Sequence, residues 1–205
     1  MEKYLLAPLF ISKLGQDDNF RSYFSLILKA LAVVGAFAAL VVFFLGWKDL
    51  FEMSSEAMIG GIIYQLTFAV AACLAVHFTL LRAAEAKKSV PGRPAPLSVA
   101  AVVLKLAGEA WGFSSALLGS SAAVYVWFAG RDADVLLNKT AVFFPFLQAR
   151  PASFAGGASL IVQGFVYGAL ALLVGYLLSD LLQLPTVRAN SEEYVAERQD
   201  LGSHR

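Results

Sequence analysis

The sequence predicts an all-α, polytopic membrane protein with four transmembrane helices and both ends in the cytoplasm. Three observations carry this reading. The 205-residue chain is 59% hydrophobic and only 15% charged, whereas soluble domains carry about a quarter charged residues. Its mean hydropathy is +0.67, so lipid rather than water is the main solvent. Its apolar residues also gather into long runs, four of which reach the ~20 residues that a helix needs to cross a hydrocarbon core of ~30 Å.

The runs lie at about 24–46, 58–81, 97–128 and 155–183, each long enough to span. Inside lipid a backbone has to satisfy its own hydrogen bonds, so each run is expected to be a helix of one membrane domain, 1–205. Residues 184–205 read as a polar cytoplasmic tail that forms at most a short helix and is solvated or partner-bound. The first run follows about 20 residues of mixed polarity and exceeds a signal-peptide core in length, so it is expected to stay in the mature chain.

Orientation follows from Lys and Arg. Lys3, Lys13, Arg21 and Lys29 lie at the N-terminal side of the first span. Arg82, Lys87, Lys88 and Arg93 flank the second loop, and Arg188, Arg198 and Arg205 lie in the tail. The other side holds only Lys48, Arg131, Lys139 and Arg150. The bias places both ends and the second loop in the cytoplasm. Trp47 and Trp127 close the first and third spans at the outer face, the headgroup level that tryptophan favours. Counting back ~21 residues from Trp127 starts the lipid-embedded part of the third helix near Ala107. A bacterial cytoplasmic (inner) membrane is the expected location for so compact a chain.

Outside the spans, Leu5, Leu6, Leu9, Phe10 and Ile11 suit a segment lying on the membrane or docked on a partner. The loop AAEAKKSVPGRPAP reads as an irregular basic connector. The outer loop, 130–154, carries an apolar patch, Phe143-Phe144-Pro145-Phe146-Leu147. Such a patch does not sit bare in water; it is expected to dip into the interface, pack on the helix tops or meet a partner. Asn138-Lys139-Thr140 matches an N-glycosylation acceptor, relevant only to a eukaryotic source. The two hairpins share features, among them Gly60-Gly61 and Gly156-Gly157 at the starts of the second and fourth spans, which would fit a parallel duplication.

Intramembrane charge is costly and marks candidate sites. Lys105 and Glu109 stand four apart and share a face of the third helix. Above them on that face lie Gly112, Ala116, Gly119 and Ala123. Gly157, Gly164, Gly168 and Gly175 form a second small-residue stripe on the fourth helix, with a GxxxG pair at Gly164 and Gly168. These faces predict tight helix packing, with each other or with a neighbouring subunit. His77 joins Lys105 and Glu109 as a candidate polar site; its bland alternative is an interfacial histidine.

No nucleophile with its base, carboxylate cluster, phosphate loop or metal-ligand spacing is present in the sequence, and lone Cys73 suggests none. The near-neutral net charge of +1 gives no case for nucleic acid. The expected function is therefore a non-enzymatic membrane subunit without cofactor or metal. It would pack through its small-residue faces into a larger complex, with membrane lipid and other membrane subunits, or copies of itself, as partners. The alternative is a small transporter or channel component with a cytoplasm-facing polar site at Lys105, Glu109 and His77.

Overall fold

Among the described residues, each of the four long apolar runs lies in a helix. A computed structural model describes residues 17–88, 95–129, 134–148 and 153–203, with 17, 134–135 and 185–203 as backbone alone. The described residues contain no strand. They form α1 (Asp17–Leu50), α2 (Ser55–Lys87), α3 (Ala95–Ala129), α4 (Asp134–Ala141), a 3-10 turn (Pro145–Leu147) and α5 (Phe154–Ser203). Four helices are long and apolar enough to cross a membrane: α1, α2, α3 and the first part of α5, Phe154–Leu184. The N-terminal segment with Leu5 to Ile11, the proline-rich stretch 89–94 and the pair Arg131-Asp132 lie outside the described residues.

Local signals set the helix ends. Ser54 holds an extended conformation before α2, and Met58 N–H bonds its carbonyl at 2.9 Å. Pro96 opens the first turn of α3, where a missing N–H costs nothing. Ser153 caps α5 by accepting the Gly156 N–H at 3.0 Å on its hydroxyl.

The spanning helices pack in chain order, α1 on α2, α2 on α3 and α3 on α5, and no extensive contact joins α1 to α5. All overshoot the bilayer. The 35 residues of α3 extend about 52 Å at 1.5 Å per residue, against ~30 Å of hydrocarbon. The surplus collects at the end where Arg21, Lys88, Ser98 and Gln183 come together. That basic end has its own apolar core of Leu28, Ala83, Ala86, Val102 and Leu106. Hydropathy reports only the lipid-embedded stretch, so helix running on into water escapes it. The polar tail is the largest such case: α5 continues through Pro185 to Ser203 rather than forming a short separate helix.

At the other end Trp127 donates its indole N–H to the Phe154 carbonyl at 3.3 Å, and the two rings stack at 5.7 Å. A Cβ on Gly157 would overlap that indole, so glycine is what lets Trp127 lie across the first turn of α5.

The outer loop departs most from expectation. It does not rest on the helix tops. The Phe144 ring packs edge-on against Trp111 at 5.5 Å, and Phe146 stacks on Tyr167 at 5.3 Å. Trp111 lies about 24 Å along α3 from Trp127, and Tyr167 about 20 Å along α5 from Phe154. Residues 134–148 therefore form a re-entrant segment that descends along the helices well past the level of the tryptophans. Leu136, Leu137 and Leu147 are buried in the same cluster as Leu50, Tyr64, Leu118 and Leu160. This placement satisfies the rule that non-helical backbone at membrane depth is tolerated only against protein. Tyr64 and Thr140 share a 2.6 Å hydrogen bond; since the Thr140 hydroxyl donates to the Leu137 carbonyl, Tyr64 is its donor. Lys139 pairs with Asp49 of α1. In the Asn138-Lys139-Thr140 match, Asn138 is exposed while Thr140 is buried and hydrogen-bonded.

Candidate functional site

The two small-residue stripes meet each other. A Cβ on Gly119 would lie 2.8 Å from the Leu160 carbonyl and from the Gly164 Cα; one on Gly168 would lie 2.6 Å from the Gly112 carbonyl. Gly175 rests in the same way on Leu104 and Gly108, and Ala116 lies beside Gly168. Ala123 is fully buried in the core, while Gly157 makes room for the Trp127 side chain of α3 rather than for its backbone. Both faces are thus occupied within one chain. Of the two partners expected for these faces, each other or a neighbouring subunit, the stripes meet each other: side chains of zero or one carbon let α3 and α5 approach to backbone contact.

Where that interface nears the basic end, an ionic cluster ties three helices. Arg82 of α2 donates from Nε to Glu109 Oε2 of α3 at 2.9 Å and from Nη2 to Glu109 Oε1. Its Nη1 bonds Glu85 one turn along α2, and its Nη2 reaches the Tyr176 hydroxyl of α5 at 3.2 Å. Tyr176 in turn donates to Glu109 Oε1. Both oxygens of Glu109 are therefore engaged, in the bidentate geometry that makes Arg–carboxylate pairs strong.

Sharing a face of α3 does not bring Lys105 and Glu109 into an ion pair. The Lys105 ammonium lies 5.8 Å from the Tyr176 ring centroid, a cation–π distance. Lysine N-terminal to glutamate is the weaker order for an i,i+4 pair, and a guanidinium fork matches a carboxylate better than an ammonium does. His77 does not join the cluster: it is exposed on another face of α2, and its ring neighbour is Phe78 at 6.4 Å. Sequence reasoning gave Arg82 only an orienting role and overlooked Tyr176. The one signal was an arginine directly after the apolar run Phe78-Thr79-Leu80-Leu81. The register of α2 against α3, which decides the pairing, is not a property of either helix alone.

Chemically the cluster is closed. Its carboxylate is saturated by a guanidinium and a phenol, which suits a tie between helices more than proton transfer or cation binding. Among the described residues, no three His, Cys, Asp or Glu side chains gather as a metal site would require. Comparison of the chain with protein-family models, with curated proteins and with solved structures finds no match in any of the three.

Proposed function

We propose that this chain is a non-enzymatic integral membrane subunit that assembles into a larger complex, with its basic end in the cytoplasm of a bacterial cell. The observation that carries the reading is the length of α5. Gln183 stands level with Arg21, Lys88 and Ser98, at the cleft that marks the basic end. From there α5 continues as helix to Ser203, about 30 Å further. α1 begins at Asp17, α2 ends at Lys87 and α3 begins at Ala95, each within about a turn of that cleft. A single polar helix of this length is marginal in water, and helices persist chiefly through packing. Val187, Tyr194 and Leu201 recur at seven-residue spacing along it, the period of a helix seam. The extension suits a partner helix, from another subunit or a second copy, better than it suits bare solvent.

The saturated state of Glu109 and the separation of His77 weigh against a transport site built on Lys105, Glu109 and His77. Several polar groups within the spans bond inside the fold: Gln65 of α2 donates to the Phe43 carbonyl of α1 at 2.8 Å, Thr67 to Ile63 and Ser120 to Ala116. A pore would instead line one continuous path with such groups.

The assembly is tested by gentle extraction from native membranes and mass measurement. The expected species is a complex well above the 22.0 kDa of one chain, and Val187→Asp with Tyr194→Asp should release the single chain. A monomer from the unaltered protein overturns the reading. Orientation is checked in a Cys73→Ser background. An impermeant maleimide added to intact cells should label cysteine at position 48 and spare cysteine at position 87; the reverse pattern inverts the topology.

A further inference from the structure

We infer that the outward side of the re-entrant turn, Ala141 to Pro145, is a contact surface for a second copy of this chain, related by a two-fold axis along the bilayer normal. The inference rests on the assembly proposed above and names its partner: the α5 extension would hold the two copies outside the membrane, and the turn would join them within it. One side of the turn rests on protein, where Leu136, Leu137 and Leu147 enter the core. On the other side Val142 is 76% exposed and Phe143 65%.

The backbone of the turn is incompletely bonded. The Thr140 carbonyl accepts the N–H groups of Phe143 and Phe144, each at 3.0 Å, and the Phe144 carbonyl accepts that of Leu147 at 2.8 Å. Among the described residues, no group donates to the carbonyls of Ala141, Val142 and Phe143. Pro145 has no N–H to offer them. The contacts with Trp111 and Tyr167 put the turn about 20 to 24 Å below the outer helix ends, inside a hydrocarbon layer of ~30 Å. Irregular backbone at that depth needs protein or a water-filled cavity beside it. The side chains at the opening are valine and phenylalanine, which suit protein better than water.

The same surface carries the complementary donors. Trp111 and Tyr167 flank the turn through the Phe144 and Phe146 rings, and both are about half exposed. Among the described residues, neither the Trp111 indole N–H nor the Tyr167 hydroxyl has an acceptor. Such groups find a hydrogen-bond partner once an interface covers them. Open donors and open acceptors thus stand side by side at nearly one depth. A two-fold axis along the bilayer normal preserves depth. It brings the donors of each copy level with the open carbonyls of the other, the reciprocity of an isologous interface. Residues 140–148 carry no charge, so the surface meets itself without like-charge repulsion. A second copy already holds both sets of groups that the contact needs.

The test uses the full chain in native membranes with p-benzoylphenylalanine in place of Phe143. Irradiation is expected to give a species at twice the 22.0 kDa of one chain, with the crosslink mapping to this chain's own segments around Trp111 or Tyr167. The same photoprobe in place of Phe37, which is 69% exposed on α1, is the control and should give no such species. Trp111→Phe with Tyr167→Phe keeps an aromatic ring at both positions and removes both donors. In vesicles diluted with lipid, this variant should need about tenfold or more chain per lipid to reach half of the maximal crosslink. The inference is overturned if position 143 captures nothing or captures a different protein, if position 37 gives as much dimer, or if the donorless variant matches the unaltered chain. A gently extracted complex that holds a single copy of this chain overturns it and leaves the assembly standing; a lone chain overturns both.

Discussion

Gly168→Leu is expected to leave little folded protein. A Cβ alone at this position would sit 2.6 Å from the Gly112 carbonyl, a backbone atom that cannot rotate away. Leucine adds three more carbons, so α3 and α5 must separate where their backbones touch. Overpacking of a well-packed site costs about 1–3 kcal/mol, and a backbone obstacle on the partner helix puts this case at the upper end or beyond. Gly35→Leu is the matched control. Gly35 lies on α1 with no atom within 4 Å of where its Cβ would be, and the same exchange there should change stability by less than about 0.5 kcal/mol. The melting midpoint in detergent, followed by tryptophan fluorescence, reads both variants. Equal midpoints for Gly168→Leu and wild type would mean that the two glycine stripes do not face each other.

Glu109→Ala comes next in size. It strands Arg82, whose side chain is only 17% exposed, while the Glu109 side chain is 10% exposed. Removing one partner of a fully buried pair costs about 3–5 kcal/mol. Glu85 still faces Arg82 and the cluster borders the headgroup layer, so about 2 kcal/mol is expected. The double variant Arg82→Leu, Glu109→Leu should recover much of this loss, because apolar replacement of both partners removes the stranded charge. Tyr176→Phe, which deletes one donor to Glu109, should cost less than Glu109→Ala. A cycle over Arg82 and Glu109 is expected to show a coupling of about 1–3 kcal/mol. Additive single losses would show that the two side chains act independently.

These expectations also show what the chain disclosed unaided. Four spanning helices were legible because hydropathy over twenty residues is a property of one segment. The small-residue faces were legible too, as periodic patterns within single helices, though not what they would meet: Gly112 with Gly168 is a relation between two helices. Arg82 was hidden for the same reason. It reads as an orientation signal until α3 places Glu109 opposite it. The re-entrant segment was least accessible. The 8 residues of α4 are too short for a hydropathy window, and the Phe143–Leu147 patch looks alike whether it lies on the surface or inside. Its depth is set by Trp111 and Tyr167, on helices either side of it in the chain.

That last dependence constrains the order of assembly. Residues 134–148 leave the ribosome before α5, yet their resting place includes Tyr167 and Leu160 of α5. If the basic end faces the cytoplasm, as proposed above, the segment crosses the bilayer with α3 and α2 to lean on but without its second wall. It has to wait at the far surface until the final span is inserted, and only then can it slide inward and close the gap. Maturation of this protein should therefore end with a post-insertional step, set by the arrival of α5 rather than by insertion of the segment itself.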